Sequence, residues 1–274
     1  MPAGFDTISF LSDYGLDDEF VGVVKAVIRG IAPAATVIDV THGVATHDVR
    51  AGSLVLARSI QYLPPGVVLA VVDPGVGGVR RAVAVEVGND NTADHSILVG
   101  PDNGLLAPAV ALAGGARRAV SLTNTDWHLA GPGPTFAGRD VFGPAAAHLC
   151  AGVPLGELGE AIDPFTLVPG IVPLSRVEGG AVEAEVLWVD RFGNAQLNVG
   201  PEEIEAMGSP VTLRVGDRAR TANRVTTYSD LGPGQVGLVV DSYGLLAVAL
   251  DRRSAADELA LAPGNPVRIE PSEA

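Results

Sequence analysis

The chain has 274 residues, of which 47% are hydrophobic and 18% charged, which excludes a disordered protein and suits one large domain or two moderate ones. Its net charge is -14 and Lys25 is its single lysine, which argues against a nucleic-acid partner because that needs a basic face. One cysteine, Cys150, excludes an internal disulfide and a cysteine-based zinc site. We see no signal-peptide pattern and no bilayer-length apolar run, so we expect a cytoplasmic protein without a membrane partner.

The first part of the chain alternates apolar runs, typical of buried strands, with amphipathic stretches, typical of helices. In chain order we predict a strand at 8–11, a helix at 17–31 with acidic residues in its first turn, a strand at 36–40, a helix at 49–60, strands at 67–72, 82–87 and 97–99, and helices at 105–112 and 141–150. This alternation predicts an N-terminal α/β domain, residues 1–165, with a central, mostly parallel sheet flanked by helices.

The pattern changes in a stretch rich in proline and glycine, residues 163–180. We predict a linker at 166–180 and a second, smaller domain at 181–274. Strand-like runs separated by turn residues follow at 182–189, 211–215, 218–226, 235–240, 246–250 and 266–269. These short runs predict an all-β barrel or sandwich.

A Pro-Gly-rich turn follows the predicted strand 67–72, with Asp73 at its start and Arg80 near its end. Ligands of open α/β sheets bind just beyond the carboxyl ends of the strands. An aspartate and an arginine close enough to pair on such a loop therefore indicate a polar site. The turn alone is weak evidence, because Pro-Gly turns after strands are common.

Two other strand ends carry polar residues. Asp13 follows the first strand, where a carboxylate can accept hydrogen bonds from ribose hydroxyls; a turn or helix-capping aspartate is the alternative. Asp39 and His42 end the second strand, and with Asp73 they offer atoms that suit a divalent metal. No ligand spacing supports a metal, and we favour a satisfied turn histidine.

Two further segments have both a functional and a structural interpretation. In 135–142, Gly138 and free backbone N–H groups permit close approach of a ligand, whereas Arg139 and Asp140 are explained by pairing with each other or by capping a helix. In 190–194, an aspartate can hold an ammonium group, a phenylalanine can stack on a base and an asparagine can read an adenine edge. The segment 241–244 alone is an ordinary hairpin turn.

Together these segments resemble the S-adenosylmethionine (SAM) hydroxide adenosyltransferases, which are adenosine-forming SAM hydrolases related to the SAM-dependent fluorinase and chlorinase. The matching segments, in order, are 11–15, 39–42, 73–77 with Arg80, 100–104, 136–142, 190–194 and 242–244. The resemblance implies an α/β domain joined to a β-barrel. It also implies a homotrimer whose sites lie between the first domain of one subunit and the second domain of the next.

The resemblance also assigns roles to single residues in binding SAM or adenosine. Asp13 would bind the ribose, and Thr135, Phe136 and Gly138 would line the substrate site. In the second domain, the residues implied are Asp190 for the methionine ammonium group, Phe192 and Asn194 for adenine, Ser242 and Tyr243 for the methionine carboxylate, and Ser254 to Ala256 for backbone contacts to adenine.

The position of Asp73 separates two branches of the family. The halogenases have tyrosine there, whereas the hydrolases have an aspartate paired with an arginine where this chain has Arg80. The resemblance therefore implies that water attacks the ribose C5′ of SAM, without metal or cofactor, giving adenosine and L-methionine. The family's third water-handling residue is a histidine, and here that position is Ala137. The chain is either a natural variant that works without the histidine or a deliberate substitution, and we expect weakened hydrolysis.

Three other functions remain as alternatives. The first is a chlorinase-like halogenase, because Gly138 resembles the chlorinase in the halide-pocket region, although Asp73 would repel a halide. The second is a protein that binds SAM or adenosine without turnover, and the third is a metal-dependent hydrolase.

Overall fold

A computed structural model describes residues 4–88 and 95–272. The chain divides into two compact units, Met1–Ile171 and Val172–Ala274. The predicted linker, 166–180, includes a three-residue strand, and its role as a linker stays a prediction, as do the domain bounds at 165 and 181.

In the described part of the first unit, seven strands form one sheet in the order β2-β1-β3-β5-β4-β6-β7. They are β1 (Thr7–Ser12), β2 (Thr36–Thr41), β3 (Val67–Val71), β4 (Ala82–Val87), β5 (Ser96–Pro101), β6 (Ala116–Ser121) and β7 (Glu160–Ile162). The β2–β1, β1–β3 and β3–β5 pairings are parallel, and those of β4 with β5 and β6, and of β6 with β7, are antiparallel. Because β6 thereby regains the direction of β5, only β4 and β7 run against the rest, which confirms a mostly parallel sheet.

Helices cover both faces of this sheet. They are α1 (Phe20–Ile31), α2 (Val49–Ser59), α3 (Ala107–Leu112) and α4 (Gly143–Cys150). Alternate residues of a strand point to opposite faces, so Leu69 belongs to the core beside α1 and α4, whereas Val68 belongs to the core beside α2 and α3. A strand buried on both faces reads as a continuous apolar run, which is why β3 was predictable.

The structure corrects three predicted helix starts. The first helix begins at Phe20 and not at residue 17, and its first turn holds no acidic residue. The third begins at Ala107 and not at 105. The fourth begins at Gly143 and not at 141, after a π-helical turn over Gly138–Phe142. Short 3-10 turns complete the described helical segments: Ile60–Tyr62, Thr125–Trp127, Leu155–Glu157, Pro164–Thr166, Pro201–Met207 and Tyr228–Asp230.

The second unit, as far as it is described, is a closed barrel of seven strands. They are β9 (Ala181–Val189), β10 (Ala195–Leu197), β11 (Val211–Val215), β12 (Arg218–Val225), β13 (Val236–Val240), β14 (Leu246–Leu250) and β15 (Pro266–Pro271). The order runs β10-β14-β13-β12-β11-β15-β9, and a β9–β10 pairing closes it. This confirms the barrel and decides against a sandwich. The short β8 (Arg176–Glu178) pairs with the start of β9, and α5 (Ala255–Leu259) follows β14.

Among the described residues, no helix has the length and apolar character needed to cross a bilayer.

Candidate active site

A pocket of about 330 Å³ lies where β1 and β3 end in the first unit. Asp13 follows β1 directly, and Asp73 lies two residues beyond β3. Parallel strands bring their carboxyl ends to the same edge of a sheet, which is where open α/β sheets bind ligands. The structure brings these predicted site residues together in the pocket lining: Asp13, Asp73, Thr135, Phe136, Ala137 and Gly138.

Arg80 holds the Asp73 carboxylate from the turn that follows β3. Its Nε lies 2.9 Å from Oδ1 and 3.0 Å from Oδ2, and its Nη2 also donates to Oδ2. Both side chains are largely buried, with 16% of Arg80 and 5% of Asp73 exposed. The guanidinium also stacks 5.2 Å from the ring centre of Phe142. Because the guanidinium bonds to both carboxylate oxygens and packs on the Phe142 ring, it fixes the direction of the carboxylate more tightly than a point charge would.

The turn between Asp73 and Arg80 needs small residues. A Cβ at Gly75 would lie 3.1 Å from Arg80 Cγ, so glycine lets the arginine fold back over the turn. The side-chain amide of Asn103 donates to the carbonyl of Val72 at 2.9 Å. That bond holds the chain at the residue just before Asp73.

Asp13 is bound by a loop that arrives from β2. The backbone N–H of His47 donates to Asp13 Oδ2 at 2.8 Å. His47 has a φ of 66°, a left-handed conformation that histidine adopts more readily than most side chains. The next residue, Asp48, caps α2 by accepting a bond from Ala51 N at 2.8 Å, so the helix start fixes the loop that holds Asp13.

An aromatic cluster of Tyr14, Phe20 and Phe136 forms another part of the lining. Phe136 makes edge contacts with both other rings, at 5.7 Å to Tyr14 and 5.1 Å to Phe20 between ring centres. Burial, Asp13 and Asp73 together raise the pKa of Tyr14 well above its ordinary value. The phenol therefore stays protonated and offers a hydrogen-bond donor near the carboxylates.

Gly138 and Ala137 lie at the start of the π-helical turn. A Cβ at Gly138 would overlap the Tyr14 hydroxyl, so the space that glycine leaves is filled by this side chain. Ala137 is 8% exposed and presents a methyl group to the pocket. Arg139 and Asp140 pair with each other through bonds of 2.6 Å and 2.9 Å, which confirms the structural interpretation for that pair.

In the second unit, Asp190, Phe192 and Asn194 share one tight turn. Asp190 Oδ1 accepts from the N–H groups of Phe192 and Asn194, each at 2.8 Å, and Oδ2 accepts from the Asn194 side chain at 2.8 Å. The Phe192 side chain is 79% exposed. The turn therefore fixes the carboxylate and presents an aromatic ring outward.

Ser254 and Ala256 pack against this turn at the start of α5. A Cβ at Gly193 would overlap Ser254, and Ala256 N–H donates to Gly193 O at 2.9 Å. Ser254 also caps α5 by accepting from Asp257 N at 3.0 Å. The structure thus brings the turn and the helix start together, and the role of both in binding adenine stays a prediction.

Ser242 and Tyr243 lie on the turn between β13 and β14, which has the geometry of an ordinary turn. Asp241 Oδ1 accepts from the N–H groups of Tyr243, at 2.8 Å, and Leu245, at 3.2 Å. Burial, Asp190 and Asp241 all raise the pKa of Tyr228. The charges of Asp190 and Asp241 therefore both act on this phenol.

Sequence reasoning gave no site role to half of the pocket lining: Tyr14, Asp18, Phe20, Thr46, His47 and Val76. Tyr14 adjoins Asp13, and that adjacency was the available signal. The Asp48 cap marks where α2 begins, but no local pattern shows that the preceding loop reaches Asp13.

In the part of the chain that the structure describes, no three His, Cys, Asp or Glu side chains form a group that could hold a metal ion. His42 bonds instead to Ser12 and Asp39. Independence from metal stays a prediction.

Known proteins are similar to this chain over most of its length. A model of the SAM hydroxide adenosyltransferase N-terminal domain matches residues 8–159, and one of the C-terminal domain matches residues 184–268. A protein of Salinispora tropica named (R)-S-adenosyl-L-methionine hydrolase is 48% identical over 262 residues, which cover 96% of this chain and 97% of that protein. A fluorinase of an Actinoplanes species is 30% identical over 276 residues, with 91% and 92% covered. The crystal structure of an uncharacterized conserved protein from Thermotoga maritima superimposes with a TM-score of 0.86 at 34% identity, covering 96% of this chain and 99% of the other.

Proposed function

The chain belongs to the SAM hydroxide adenosyltransferase family, and from that premise we propose that it hydrolyses SAM to adenosine and L-methionine. The observation that carries this proposal is the Asp73–Arg80 pair, held rigidly at the edge of the pocket that also contains Asp13.

The charge of the pocket supports a cationic substrate. Asp13, Asp18 and Asp73 line it, and Arg80 neutralises one of these carboxylates. A surface rich in one sign of charge raises the local concentration of ligands of the opposite sign. SAM carries a sulfonium and an ammonium group against one carboxylate, so the pocket favours it over a neutral nucleoside.

The reaction needs mainly orientation, because a sulfonium is already a good leaving group. Asp13 binds the ribose hydroxyls, and Asp73, fixed by Arg80, accepts a hydrogen bond from a water aimed at C5′. The water oxygen forms a bond to C5′ while the C5′–S bond breaks and its electron pair returns to sulfur. The protonated oxygen on C5′ then gives its proton to the Asp73 carboxylate, which leaves adenosine and the thioether of methionine. In-line positioning of this kind supplies a large share of the acceleration.

The second unit would complete the substrate site from a neighbouring subunit of a homotrimer. In this proposal Phe192 and Asn194 contact adenine and Asp190 binds the methionine ammonium group. Ser242 and Tyr243 bind the methionine carboxylate, and the backbone of 254–256 contacts adenine. The 79% exposure of Phe192 supports this role, because an exposed aromatic ring is available to stack on a base.

Ala137 makes the proposed reaction slow. A methyl group can neither accept a proton from the attacking water nor donate a hydrogen bond, and the histidine implied by the resemblance can do both. Losing one general acid–base group typically costs about 10²–10⁴ in rate.

The test is to incubate the purified chain and its Ala137→His variant with SAM and to resolve the products by chromatography. We expect slow formation of adenosine and methionine by the parent, and an increase of about 10²–10⁴-fold in the variant. Asp73→Asn in both backgrounds is the matched control and should remove the product, and a chelator should leave the rate unchanged.

Other outcomes would favour the other functions. Chloride-dependent formation of a chlorinated nucleoside would replace the hydrolase with a halogenase. Tight retention of SAM without any product, in both proteins, would leave a binding protein. Equal rates in the two proteins would show that residue 137 takes no part in handling the water.

A further inference from the structure

We propose that a line of hydrogen bonds, Lys25–Asp39–His42–Ser12, positions the turn that carries Asp13 and Tyr14 into the pocket. His42 is then a positioning residue, which holds the turn and does not itself touch the substrate. The effect on ligand binding rests on the proposed function, whereas the effect on the turn does not.

The four side chains come from three elements and meet in a line. Lys25 on α1 donates to Asp39 Oδ2 at 2.9 Å, Asp39 Oδ1 lies 3.1 Å from His42 Nε2, and His42 Nδ1 lies 2.8 Å from Ser12 Oγ. The inner end is buried, with His42 4% and Ser12 0% exposed. The His42 ring also packs against the edge of Phe10 at 4.6 Å between centres, which fixes its plane.

Bonding capacity sets the direction of the hydrogen bonds that Asp39 makes in this line. Burial alone would raise the pKa of Asp39, but the hydrogen bonds from Lys25 and His42 outweigh it and lower that pKa, so the carboxylate is ionised and only accepts. His42 Nε2 therefore donates to Asp39, and in the neutral ring Nδ1 accepts from the Ser12 hydroxyl. This assignment leaves a lone pair of Ser12 Oγ for one more donor.

That donor belongs to the pocket turn. The N–H of Tyr14 lies 3.3 Å from Ser12 Oγ, and the N–H of Gly15 donates to the main-chain carbonyl of His42 at 2.8 Å. His42 therefore holds the turn twice, through its side chain by way of Ser12 and through its own carbonyl. Asp13 precedes the held residues, and the Tyr14 side chain lines the pocket.

The order of Ser12, His42 and Asp39 is that of a nucleophilic triad, but the surroundings exclude that role. Nucleophilic catalysis needs a hydroxyl that a substrate atom can reach, and Ser12 has no exposed surface. Both ring nitrogens of His42 are also already engaged. These hydrogen bonds therefore have a structural role and no catalytic one.

The first measurement is amide hydrogen exchange at Tyr14 and Gly15, followed by NMR in the full chain. Ser12→Ala removes the acceptor of the Tyr14 N–H, and Lys25→Met removes the outer cation at a partly exposed site. We expect exchange at both amides to quicken about five- to tenfold in these variants, as for one lost hydrogen bond, and Lys25→Arg to restore it. His42→Phe keeps the ring but loses both side-chain bonds, and His148→Phe, at a histidine on α4 that packs on Trp127, is its matched control.

The second measurement is the affinity for adenosine by calorimetry, with kcat and KM for SAM. Weaker adenosine binding and a higher KM in Ser12→Ala and Lys25→Met, with little change in kcat and none in His148→Phe, would support the proposal. Unchanged exchange in folded Ser12→Ala and His42→Phe variants would overturn it, as would faster exchange with unchanged affinity. If the parent binds adenosine but makes none from SAM, the proposed function alone fails.

Discussion

Single residues of the pocket divide into those that hold a geometry and those that supply chemistry. The guanidinium of Arg80 donates to both carboxylate oxygens of Asp73, and the backbone N–H of His47 donates to Asp13. Ala137 offers the pocket only a methyl group, which neither forms hydrogen bonds nor exchanges a proton. The proposed slowness of the reaction therefore belongs to one position, and in the proposal its neighbours Asp73 and Arg80 still orient the water.

Replacing Arg80 by lysine tests whether orientation of Asp73 matters. A lysine keeps the positive charge but is a point donor that cannot bind a carboxylate through two nitrogens. We expect kcat for SAM hydrolysis to fall about 10²-fold, as for an ångström-scale misplacement of a catalytic group, with a smaller change in KM.

The neighbouring arginine provides the control for this substitution. Arg81 binds Asp102 and Thr166 away from the pocket, so Arg81→Lys should leave kcat almost unchanged. Both substitutions are measured in the Ala137→His background. Equal losses in the two variants would mean that the effect is one of general stability and not of Asp73 orientation.

The sequence revealed the local part of this site and missed the distant part. Asp73 and Arg80 lie seven residues apart on one turn, so the spacing itself predicts their pairing. Asp13 and His47 lie 34 residues apart, and only the parallel pairing of β1 with β2 brings the loop after β2 to Asp13. Side chains that reach a pocket through sheet topology leave no local pattern.

At the scale of elements, burial made some strands easy to predict, although the less buried β2 and β12 were predicted as well. All described residues of β3 are buried, and its apolar run is unmistakable. By contrast, β6 begins with Ala116 and two arginines and has an exposed end, and the strands β7, β8 and β10 are three residues long. Such short or charged segments become strands because a neighbour pairs with them, and periodicity does not record that.

The π-helical turn before α4 depends on Gly138. A methyl group there would overlap the Tyr14 hydroxyl, so Gly138→Ala should lower the free energy of unfolding by about 1–3 kcal/mol, as for an overpacked core. Adding Tyr14→Phe, which removes the hydroxyl, should recover much of that loss. Urea unfolding of the two variants measures both effects.

Gly133 provides the control for the predicted effect of Gly138→Ala on the free energy of unfolding. A Cβ there meets nothing within 4 Å, so Gly133→Ala should leave the stability almost unchanged. A Gly138→Ala variant as stable as Gly133→Ala would show that the turn yields to the added methyl group.

At the scale of the whole molecule, the proposed sites join different subunits. Asp73→Ala disables the first unit, and Phe192→Arg places a cation at the exposed ring position of the second. Each variant alone should be inactive, whereas co-expression should restore about one quarter of the sites if a ring of three forms at random and each site joins two neighbours.

Activity of the co-expressed mixture, in the Ala137→His background, measures this complementation, and sedimentation equilibrium gives the number of subunits. No recovery in mixed trimers would mean that each chain builds its own site. A monomer in solution would remove the trimer from the proposal.

The single lysine has a practical consequence for handling the protein. Lys25 is 37% exposed and its amine is bonded to Asp39. Among the side chains, it is the one target for amine-directed reagents such as dye esters, aldehyde crosslinkers and activated resins. Attachment there would consume the donor at the outer end of the hydrogen-bonded line. Immobilised or fluorescently labelled preparations should therefore be coupled through another chemistry, or tested first for altered substrate affinity.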